Sequence, residues 1–274
     1  MTRRPERPLT EIERIEREEF ARGHIQAGAP AVTPRPAATI ILARQRGEPF
    51  EILLLQRPLT SRFAAGAYVF PGGVIDLEDG DPMGLPRLPG SPDALVGDLE
   101  RAALVAALRE LFEETGVLLS DRHPAPAELQ PARARMLAGG LSFRELVQTY
   151  GLTFHTIEIA YFARWVTPAR LSRRYDTHFF MAVSHGEDPD LTPEHTDYRW
   201  ISPTAALEAF HSGRLPMLYP TVKTMEALAH FDDLTDAFDD FSARPVEPIF
   251  ARLIVRGDDI KPVMPGDPDY DEGE

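Results

Sequence analysis

The helix-like stretch at residues 98–115, which carries most of the motif RELFEETGVLL, constrains the fold of this chain more than any other. At 100° per residue, one core-facing stripe about 100° wide is formed by Leu104, Ala107, Leu108, Leu111 and Thr115. Glu110 and Glu114 lie at one edge of this stripe, and Glu113 lies further round on the same side. Like charges four residues apart destabilise a helix by a few tenths of a kcal/mol per pair. The crowding therefore predicts a bound cation at this flank, the alternative being a solvated acidic surface.

The cation is expected to be a hard metal ion. The chain contains no cysteine, so any metal must be held by oxygen or imidazole ligands. Carboxylates at helical spacing suit Mg²⁺ or Mn²⁺, which keep several waters and bind through a few carboxylates together with substrate phosphates. Arg109 is adjacent to Glu113 on the helical wheel and can orient a carboxylate through a charge-assisted hydrogen bond. Gly116 supplies the left-handed residue that ends the helix.

The other segments predict a mixed β-sheet with helices on both of its faces. Apolar, β-rich runs predict strands at residues 37–44, 50–57, 67–73, 156–167, 176–184 and 198–202. Helices are predicted at 202–213, with Ser202 as the N-cap and Pro203 in the first position, and at 220–231. The strands and helices do not alternate regularly, which favours a mixed sheet over a parallel one.

The composition is that of a soluble globular protein with one principal core. Its 43 acidic residues against 29 basic ones argue against a nucleic-acid partner, because non-specific binding to nucleic acid depends on basic surface. A small anionic substrate is not excluded, since a metal and a few arginines can reverse the local field. No window approaches about 18 uninterrupted apolar residues, and no apolar segment follows the basic N-terminus, so we expect a cytoplasmic protein without a membrane span.

Together with the pair Gly72-Gly73, the motif resembles the Nudix box, whose pattern is G, five residues, E, seven residues, then R-E-U-x-E-E-x-G-U with U apolar. The second half is complete in residues 109–117. The resemblance implies the Nudix α/β/α sandwich, an α/β fold with a mixed sheet and helices on both faces. Arg109 lies 36 positions after Gly73, whereas the family pattern has 14, so the box carries 22 additional residues. These lie in a Gly-, Pro- and Asp-rich loop at about 77–97.

Because of this insertion, the equivalent of the first glutamate of the box is left open. Asp79 takes the position counted forward from Gly73, and Asp76, Asp98 and Glu100 are alternatives. The inserted loop is expected to be a structural elaboration beside the site, with a lid as the alternative.

The residues before the glycine pair, LLQRPLTSRFAAGAYVFPGG, resemble the signature of coenzyme A diphosphatases within the Nudix family. That signature runs L-x-T-x-R-[S/A]-x3-R-x3-G-x3-F-P-G-G. Arg57, Arg62, Gly66 and the FPGG run fall at its spacing, whereas Leu55 and Pro58 replace its threonine and its Ser/Ala. Two arginines near a metal site suit a ligand with a diphosphate and a further phosphate. The alternative is that both arginines form surface ion pairs.

The resemblance implies a metal-dependent hydrolase in which water attacks a phosphorus of a diphosphate. The predicted substrate is CoA or an acyl-CoA, and the products are 3′,5′-ADP and 4′-phosphopantetheine or its acyl form. Hydrolysis of ADP-ribose, a nucleotide sugar or a dinucleotide is the first alternative. The second is a regulatory module that binds a nucleotide metabolite without turnover, although such a module is expected to have lost box carboxylates that this chain retains.

Site residues follow from the same resemblance. Glu110 and Glu114 are implied as metal ligands, and Glu113 is implied as a further ligand or as the general base. Arg109 is expected to assist catalysis. A later loop offers further acids and bases, namely Glu194, Asp197 and His195. The substrate is expected to contact Arg57, Arg62, Gly72 and Gly73.

Three regions are predicted along the chain. Residues 1–33 would form an amphipathic helix and a linker, with the helix packed on the domain or on a second copy in a homodimer. Residues 34–258 would form the Nudix domain, with a helical C-terminal part at about 203–241. Residues 259–274 would form an acidic tail with nothing to bury.

Overall fold

The computed structural model describes residues 32–61, 64–80, 98–154, 158–184, 186, 188–256 and 259–273. The predicted N-terminal helix, Arg62 and most of the insertion predicted at 77–97 lie outside the described residues. The homodimer contact and the cytoplasmic location stay predictions. Among the helices of the described residues, none combines the length and the apolar character needed to cross a membrane.

The elements alternate irregularly between strand and helix. In chain order they are β1 Arg35–Arg44, β2 Glu51–Gln56, β3 Tyr68–Val69, β4 Gly72–Val74, α1 Asp98–Thr115, α2 Pro126–Leu137, α3 Phe143–Tyr150, β5 Ile159–Val166, β6 Tyr175–Val183, β7 Asp197–Ile201, α4 Pro203–His211, α5 Tyr219–Leu228, α6 Leu234–Ser242, β8 Pro248–Phe250, β9 Arg252–Arg256 and β10 Asp259–Val263. A short 3-10 turn at Leu77–Gly80 follows β4.

The main sheet is mixed, as predicted. Its strand order is β3-β2-β1-β6-β5-β8, with β4 also paired to β1 and β7 also paired to β2. β1 runs parallel to β6, and β5 runs parallel to β8. β1 and β2 are antiparallel, as are β5 and β6. β9 and β10 form a separate antiparallel hairpin.

Helices cover both faces of this sheet. Alternate residues of β1 point to opposite faces, so Ile40 and Leu42 enter the core on the side of α1, α2 and α3. Ile41 and Ala43 enter the core on the side of α4, α5 and α6. Each apolar face is thereby removed from water, and the predicted α/β/α sandwich is confirmed.

α1 has the predicted bounds and its core-facing stripe is fully buried. Gly116 ends it with a φ of +72°, as its left-handed role requires. The next predicted helix, α4, begins after Ser202, whose hydroxyl accepts a hydrogen bond from the Ala205 N–H at 3.3 Å.

Several elements were not predicted. α2 and α3 fill the stretch between α1 and β5, and α3 begins with a capping box in which Ser142 and Glu145 exchange hydrogen bonds. The predicted strand at 67–73 is divided into β3 and β4. β1 begins at Arg35, two residues before the strand predicted at 37–44.

The structure corrects the prediction that residues 259–274 form an acidic tail with nothing to bury. Residues 259–263 form β10 and pair with β9, so a boundary at 258/259 cuts through a hairpin. Val263 is completely buried, and the Tyr270 hydroxyl donates a hydrogen bond to the Phe250 carbonyl at 2.8 Å. The acidic residues of this segment concealed the apolar residues of β10, namely Ile260, Pro262 and Val263.

Candidate active site

The last turns of α1 lie against β4, where the two glycines allow close contact. The Gly72 N–H donates a hydrogen bond to Glu114 Oε2 at 3.1 Å. A Cβ at Gly72 would lie 2.4 Å from the Ala38 carbonyl oxygen, and a Cβ at Gly73 would lie 2.3 Å from Glu110 Oε1. Any other residue at these positions would displace β1 or the Glu110 carboxylate. The glycine pair thus brings two carboxylates of α1 onto a strand of the sheet.

Arg109 connects the two halves of the box. Its Nε and Nη2 donate hydrogen bonds to the two carboxylate oxygens of Asp79, each at 3.0 Å. Its Nη1 donates to Glu110 at 2.8 Å and to Glu113 at 3.0 Å, and Nη2 also donates to the Val74 carbonyl at 3.0 Å. Arg109 therefore fixes the orientation of two of the three glutamates and offsets part of their charge.

Asp79 takes the place of the first acid of the box. It is 2% exposed, whereas the Asp76 side chain is 69% exposed and lies 3.7 Å from Arg109. Asp98 and Glu100 lie in the first turn of α1, at the far end of the helix from Glu114. Of the four alternatives, Asp79 accepts two hydrogen bonds from Arg109, so we assign it as the first acid of the box. The additional residues of the box then lie after Asp79.

We expect Asp79→Asn to lower the free energy of unfolding by about 3 kcal/mol, because it removes the negative charge from a buried ion pair and leaves one of the two Arg109 hydrogen bonds without a carboxylate oxygen to accept it. The matched control is Asp76→Asn, which should cost less than about 1 kcal/mol because that ion pair is exposed. Urea denaturation of both variants measures the difference. Equal losses in the two variants would contradict the assignment of Asp79.

Burial dominates the electrostatics of the three glutamates. It raises the pKa of Glu110 to about 7, although Arg109 opposes the shift. Burial and the neighbouring charge of Glu110 raise the pKa of Glu114 well above its usual value. Burial raises the pKa of Glu113 as well. The cluster thus binds protons more readily than free carboxylates do, and a cation would relieve the cost of its negative charge.

We expect Glu110→Gln to stabilise the metal-free protein increasingly as pH rises. A carboxyl with a raised pKa in the folded state contributes stability that is full below its unfolded-state pKa and is lost as pH rises through the folded-state pKa. For Glu110, whose pKa rises from 4.5 to about 7, this loss is about 3 kcal/mol between about pH 4 and pH 8.

Denaturation of both proteins in EDTA across this pH range measures the effect. The free energies of unfolding of the two proteins are compared at each pH. This comparison is needed because burial lowers the pKa of His178 and of His195 to about 4, which makes both proteins more stable as pH rises. A stability difference that stays constant with pH would show that Glu110 does not carry this shift.

Arg133 of α2, which sequence reasoning missed, holds the C-terminal end of α1. It is 6% exposed, and its Nε and Nη2 donate hydrogen bonds to the Glu113 carbonyl at 3.1 and 2.9 Å. Its Nη1 also donates to the Asp190 carboxylate at 2.9 Å, and the Asp190 N–H donates to the Thr115 carbonyl at 2.7 Å. A cation placed on the last carbonyls of a helix is favourable. Arg133 thereby joins α1 to the loop that precedes β7.

This loop carries two of the predicted bases to the carboxylates. Its Thr192 N–H donates to the Glu114 carbonyl at 3.2 Å. His195 is buried, with Nε2 3.9 Å from Glu114 Oε1. Glu194 is exposed, and its charge contributes to the raised pKa of Glu114. Both side chains therefore lie within electrostatic reach of the cluster.

Among the candidate bases of this loop, His195 and Asp197 are less suited than Glu194 to accept a proton from water. Burial, and then the charge of Arg57, lower the pKa of His195 to about 4, so this imidazole is neutral and weakly basic at pH 7. Asp197 accepts a hydrogen bond from the Tyr68 hydroxyl at 2.9 Å, and Arg199 lies 3.5 Å away. Asp197 is thus engaged in contacts of its own.

A pocket of about 310 Å³ opens beside the glycine pair. Gly72, Thr39 and Arg57 line it, and the charge of Arg57 partly offsets the raised pKa of Glu114. The rest of the wall is mainly apolar and includes Val69, Phe70, Trp165, Phe179, Tyr219 and Leu253. Arg57 is therefore at the carboxylate end of the pocket.

The donor set fits a hard cation. In the described part of the chain, no three Asp, Glu or His side chains converge as ligands on one point, because Glu110 and Glu113 turn toward Arg109. Mg²⁺ does not require such a cage, since it usually binds through one or two carboxylates and keeps several waters. A carboxylate pair that is buried at Glu114 and partly buried at Glu110, with raised pKa values and only oxygen donors, is consistent with this mode of binding.

The fold and this arrangement define a Nudix hydrolase. The crystal structure of a NUDIX hydrolase from Alicyclobacillus acidocaldarius is 30% identical to the chain, with a TM-score of 0.68 over 78% of this chain and 99% of that one. Within the class, the chain belongs to the NUDT19 Nudix domain family, whose family profile matches residues 89–228. The predicted enzyme class, a Nudix diphosphatase, is confirmed.

Two curated relatives span most of the chain. The acyl-coenzyme A diphosphatase NUDT19 of Gallus gallus is 27% identical over 87% of this chain and 80% of the relative. The human protein of the same name is 28% identical over 86% of this chain and 80% of the relative. These relatives bear out the resemblance to the coenzyme A diphosphatase branch.

Proposed function

We propose that the chain hydrolyses the diphosphate of CoA or an acyl-CoA to 3′,5′-ADP and 4′-phosphopantetheine or its acyl form. One observation carries the proposal. Gly72 donates its N–H to Glu114 and also lines the mainly apolar pocket, so the carboxylate cluster and the pocket share a wall. If the diphosphate bound beside Gly72, the pantetheine arm attached to it would lie in the pocket. The relatives named acyl-coenzyme A diphosphatase support the same substrate class.

The chain's own carboxylates would hold Mg²⁺ or Mn²⁺. Glu110 and Glu114 are the proposed ligands, and Glu113 is a third oxygen donor on the same flank. When bound, the metal would neutralise charge on the diphosphate and lower the pKa of a water molecule. Arg109, held by Asp79, keeps Glu110 and Glu113 oriented for this task. Its role is positioning.

Glu194 is the proposed general base. It is exposed at the loop that Arg133 anchors, and its charge reaches Glu114. Glu113, the alternative, is held by a hydrogen bond from Arg109 at 3.0 Å and is itself a proposed oxygen donor to the metal, so its carboxylate is less free to receive a proton from water. The Glu194 carboxylate would take a proton from the attacking water as the new bond to phosphorus forms.

Arg57 is proposed to bind the diphosphate, because it lies at the carboxylate end of the pocket. We expect Arg57→Ala to lower kcat/KM. The corresponding loss of transition-state stabilisation should be about 1.5–3 kcal/mol, the range for hydrogen bonds to charged groups. The loss should be equal for CoA and dephospho-CoA, which differ only in the 3′-phosphate. Arg46→Ala, at a surface arginine outside the pocket, is the matched control. A loss confined to CoA would place Arg57 on the 3′-phosphate instead.

A substrate panel tests the proposed function. The protein is incubated with Mg²⁺ and, separately, with CoA, an acyl-CoA, ADP-ribose, NADH or a nucleotide sugar, and kcat/KM is determined for each. We expect CoA or the acyl-CoA to be cleaved best. Preference for ADP-ribose or a nucleotide sugar would leave the Nudix assignment and overturn the CoA proposal. No cleavage of any member would favour a binding module, which the retained carboxylates argue against.

A further inference from the structure

The last turn of α1 is capped by distant parts of the chain. A helix leaves its final backbone carbonyls without partners in the helix itself. The Thr115 carbonyl accepts a hydrogen bond from the Asp190 N–H at 2.7 Å, and the Glu114 carbonyl accepts one from the Thr192 N–H at 3.2 Å. The loop at residues 190–196 is therefore built directly onto the turn of α1 that carries the carboxylates.

Arg133 of α2 contacts both sides of this junction. Its Nε and Nη2 donate hydrogen bonds to the Glu113 carbonyl at 3.1 and 2.9 Å. Nη2 also donates to the Asp190 carbonyl at 2.6 Å, and Nη1 donates to the Asp190 carboxylate at 2.9 Å. A Cβ at Gly116 would lie 3.1 Å from Nη1, so a side chain there would crowd the guanidinium. One planar group thus holds the helix and the loop together.

The other end of the loop is fixed by the sheet. The Thr196 N–H donates a hydrogen bond to the Gln56 carbonyl at 2.9 Å, and β7, which begins at the next residue, pairs with β2. Residues 191–195 lie between the two anchors, and Glu194 is exposed on this span. The position of Glu194 relative to α1 therefore depends on the first anchor, in which Arg133 takes part.

Stabilising the end of α1 would not by itself require an arginine. A lysine near the last carbonyls is also favourable, and water can satisfy those carbonyls. Arg133 is 6% exposed, and burial lowers its pKa below the usual value, although the charge of Asp190 opposes the shift. A buried charge costs free energy unless it is paired and hydrogen-bonded. The four hydrogen bonds that offset this cost use the fixed fork of a guanidinium, which an ammonium lacks.

We propose that Arg133 is a positioning residue for the hydrolysis. By binding the last turn of α1 and Asp190 at once, it holds Glu194 where the carboxylate can take a proton from the water that attacks the diphosphate. This inference rests on the proposed function and on Glu194 as the general base. Arg133 itself touches neither the substrate nor the water, so its effect on the rate passes through Glu194.

A double-mutant cycle with Glu194→Gln tests this coupling. With Mg²⁺ and the diphosphate that the wild-type protein cleaves best, Arg133→Lys should lower kcat by about 10- to 10²-fold, because displacing a catalytic group by about 1 Å has an effect of this size. KM should stay within about twofold, since Arg133 is not among the described residues that line the pocket. In the Glu194→Gln background, Arg133→Lys should change kcat by less than about twofold, because the group that it displaces is already gone.

Two further variants separate positioning from loss of fold. Arg135→Lys makes the same substitution at an exposed position of the same helix and should keep wild-type kcat. Asp190→Ala removes the carboxylate partner of Arg133, and this side chain is 72% exposed, so the free energy of unfolding should change little. It should lower kcat less than Arg133→Lys does, because the backbone contacts of the loop remain, and this loss should also vanish in the Glu194→Gln background. Urea denaturation confirms that each variant is folded.

Three results would overturn the inference. An equal loss of kcat with and without Glu194 would show that Arg133 acts through the carboxylates of α1. Unchanged kcat with a lower urea midpoint would leave Arg133 a purely structural role. Full activity of Glu194→Gln would remove the base that Arg133 is proposed to position, although cleavage of CoA by the wild-type protein would still support the proposed function. A preference of the wild-type protein for ADP-ribose would overturn the proposed substrate but not this inference, which the cycle on ADP-ribose decides.

Discussion

Glu114→Gln is expected to lower kcat by about 10³-fold, or roughly 4 kcal/mol in activation free energy, and to leave the fold intact. The substitution keeps the size and helical propensity of the residue but removes the charge that would hold the metal. Glu114 Oε2 accepts a hydrogen bond from the Gly72 N–H, which the amide oxygen of glutamine can also accept. Turnover at saturating Mg²⁺ measures the loss.

Stability and a second variant control this experiment. The metal-free Glu114→Gln protein should have a Tm equal to or above that of wild type, because burial disfavours the charged form of Glu114. Glu100→Gln changes a carboxylate in the first turn of the same helix and should keep wild-type turnover. Unchanged activity of Glu114→Gln would remove this residue from the ligand set.

Glu194→Gln is expected to lower kcat by about 10²–10³-fold with KM nearly unchanged, as the loss of a general base predicts. The rising limb of the pH–kcat profile should disappear, since the group that must lose its proton is gone. Glu194 is exposed, so the free energy of unfolding should change little. Steady-state kinetics across pH measures kcat, KM and the pH profile, and urea denaturation measures the free energy of unfolding.

Glu113→Gln distinguishes the two candidate bases. If Glu194 is the base, Glu113→Gln should retain the rising limb of the pH profile even where its kcat falls. Loss of that limb in Glu113→Gln, with the limb kept in Glu194→Gln, would move the role of the base to Glu113 and contradict the assignment.

Local features of the site could be predicted from the sequence. The bounds of α1, its buried stripe and its end at Gly116 follow from periodicity and from the conformational freedom of glycine, both properties of neighbouring residues. The proximity of Glu110 and Glu114 is fixed by one helical turn. The two glycines of β4 were identified by their spacing, although only the structure shows that Gly73 makes room for the Glu110 carboxylate.

Long-range contacts could not be predicted in this way. Asp79 and Arg109 are 30 positions apart, and an insertion of unknown path separates them, so spacing alone left four acids open. Arg133 and the C-terminal hairpin reach the site only through tertiary packing, and no local pattern marks them. α3 differs, because its S-x-x-E capping box is a local signal that marks the start of a helix in the sequence itself.

The products formed from an acyl-CoA in ¹⁸O-labelled water with Mg²⁺ test the central claim most directly. If the carboxylates of α1 support attack of water on the diphosphate, mass spectrometry should find 3′,5′-ADP and acyl-4′-phosphopantetheine. One of the two should carry a single ¹⁸O in its phosphate, and both should form about 10³-fold more slowly with Glu114→Gln. Release of a free fatty acid with intact, unlabelled CoA would mean that the thioester is the bond cleaved and would contradict the account.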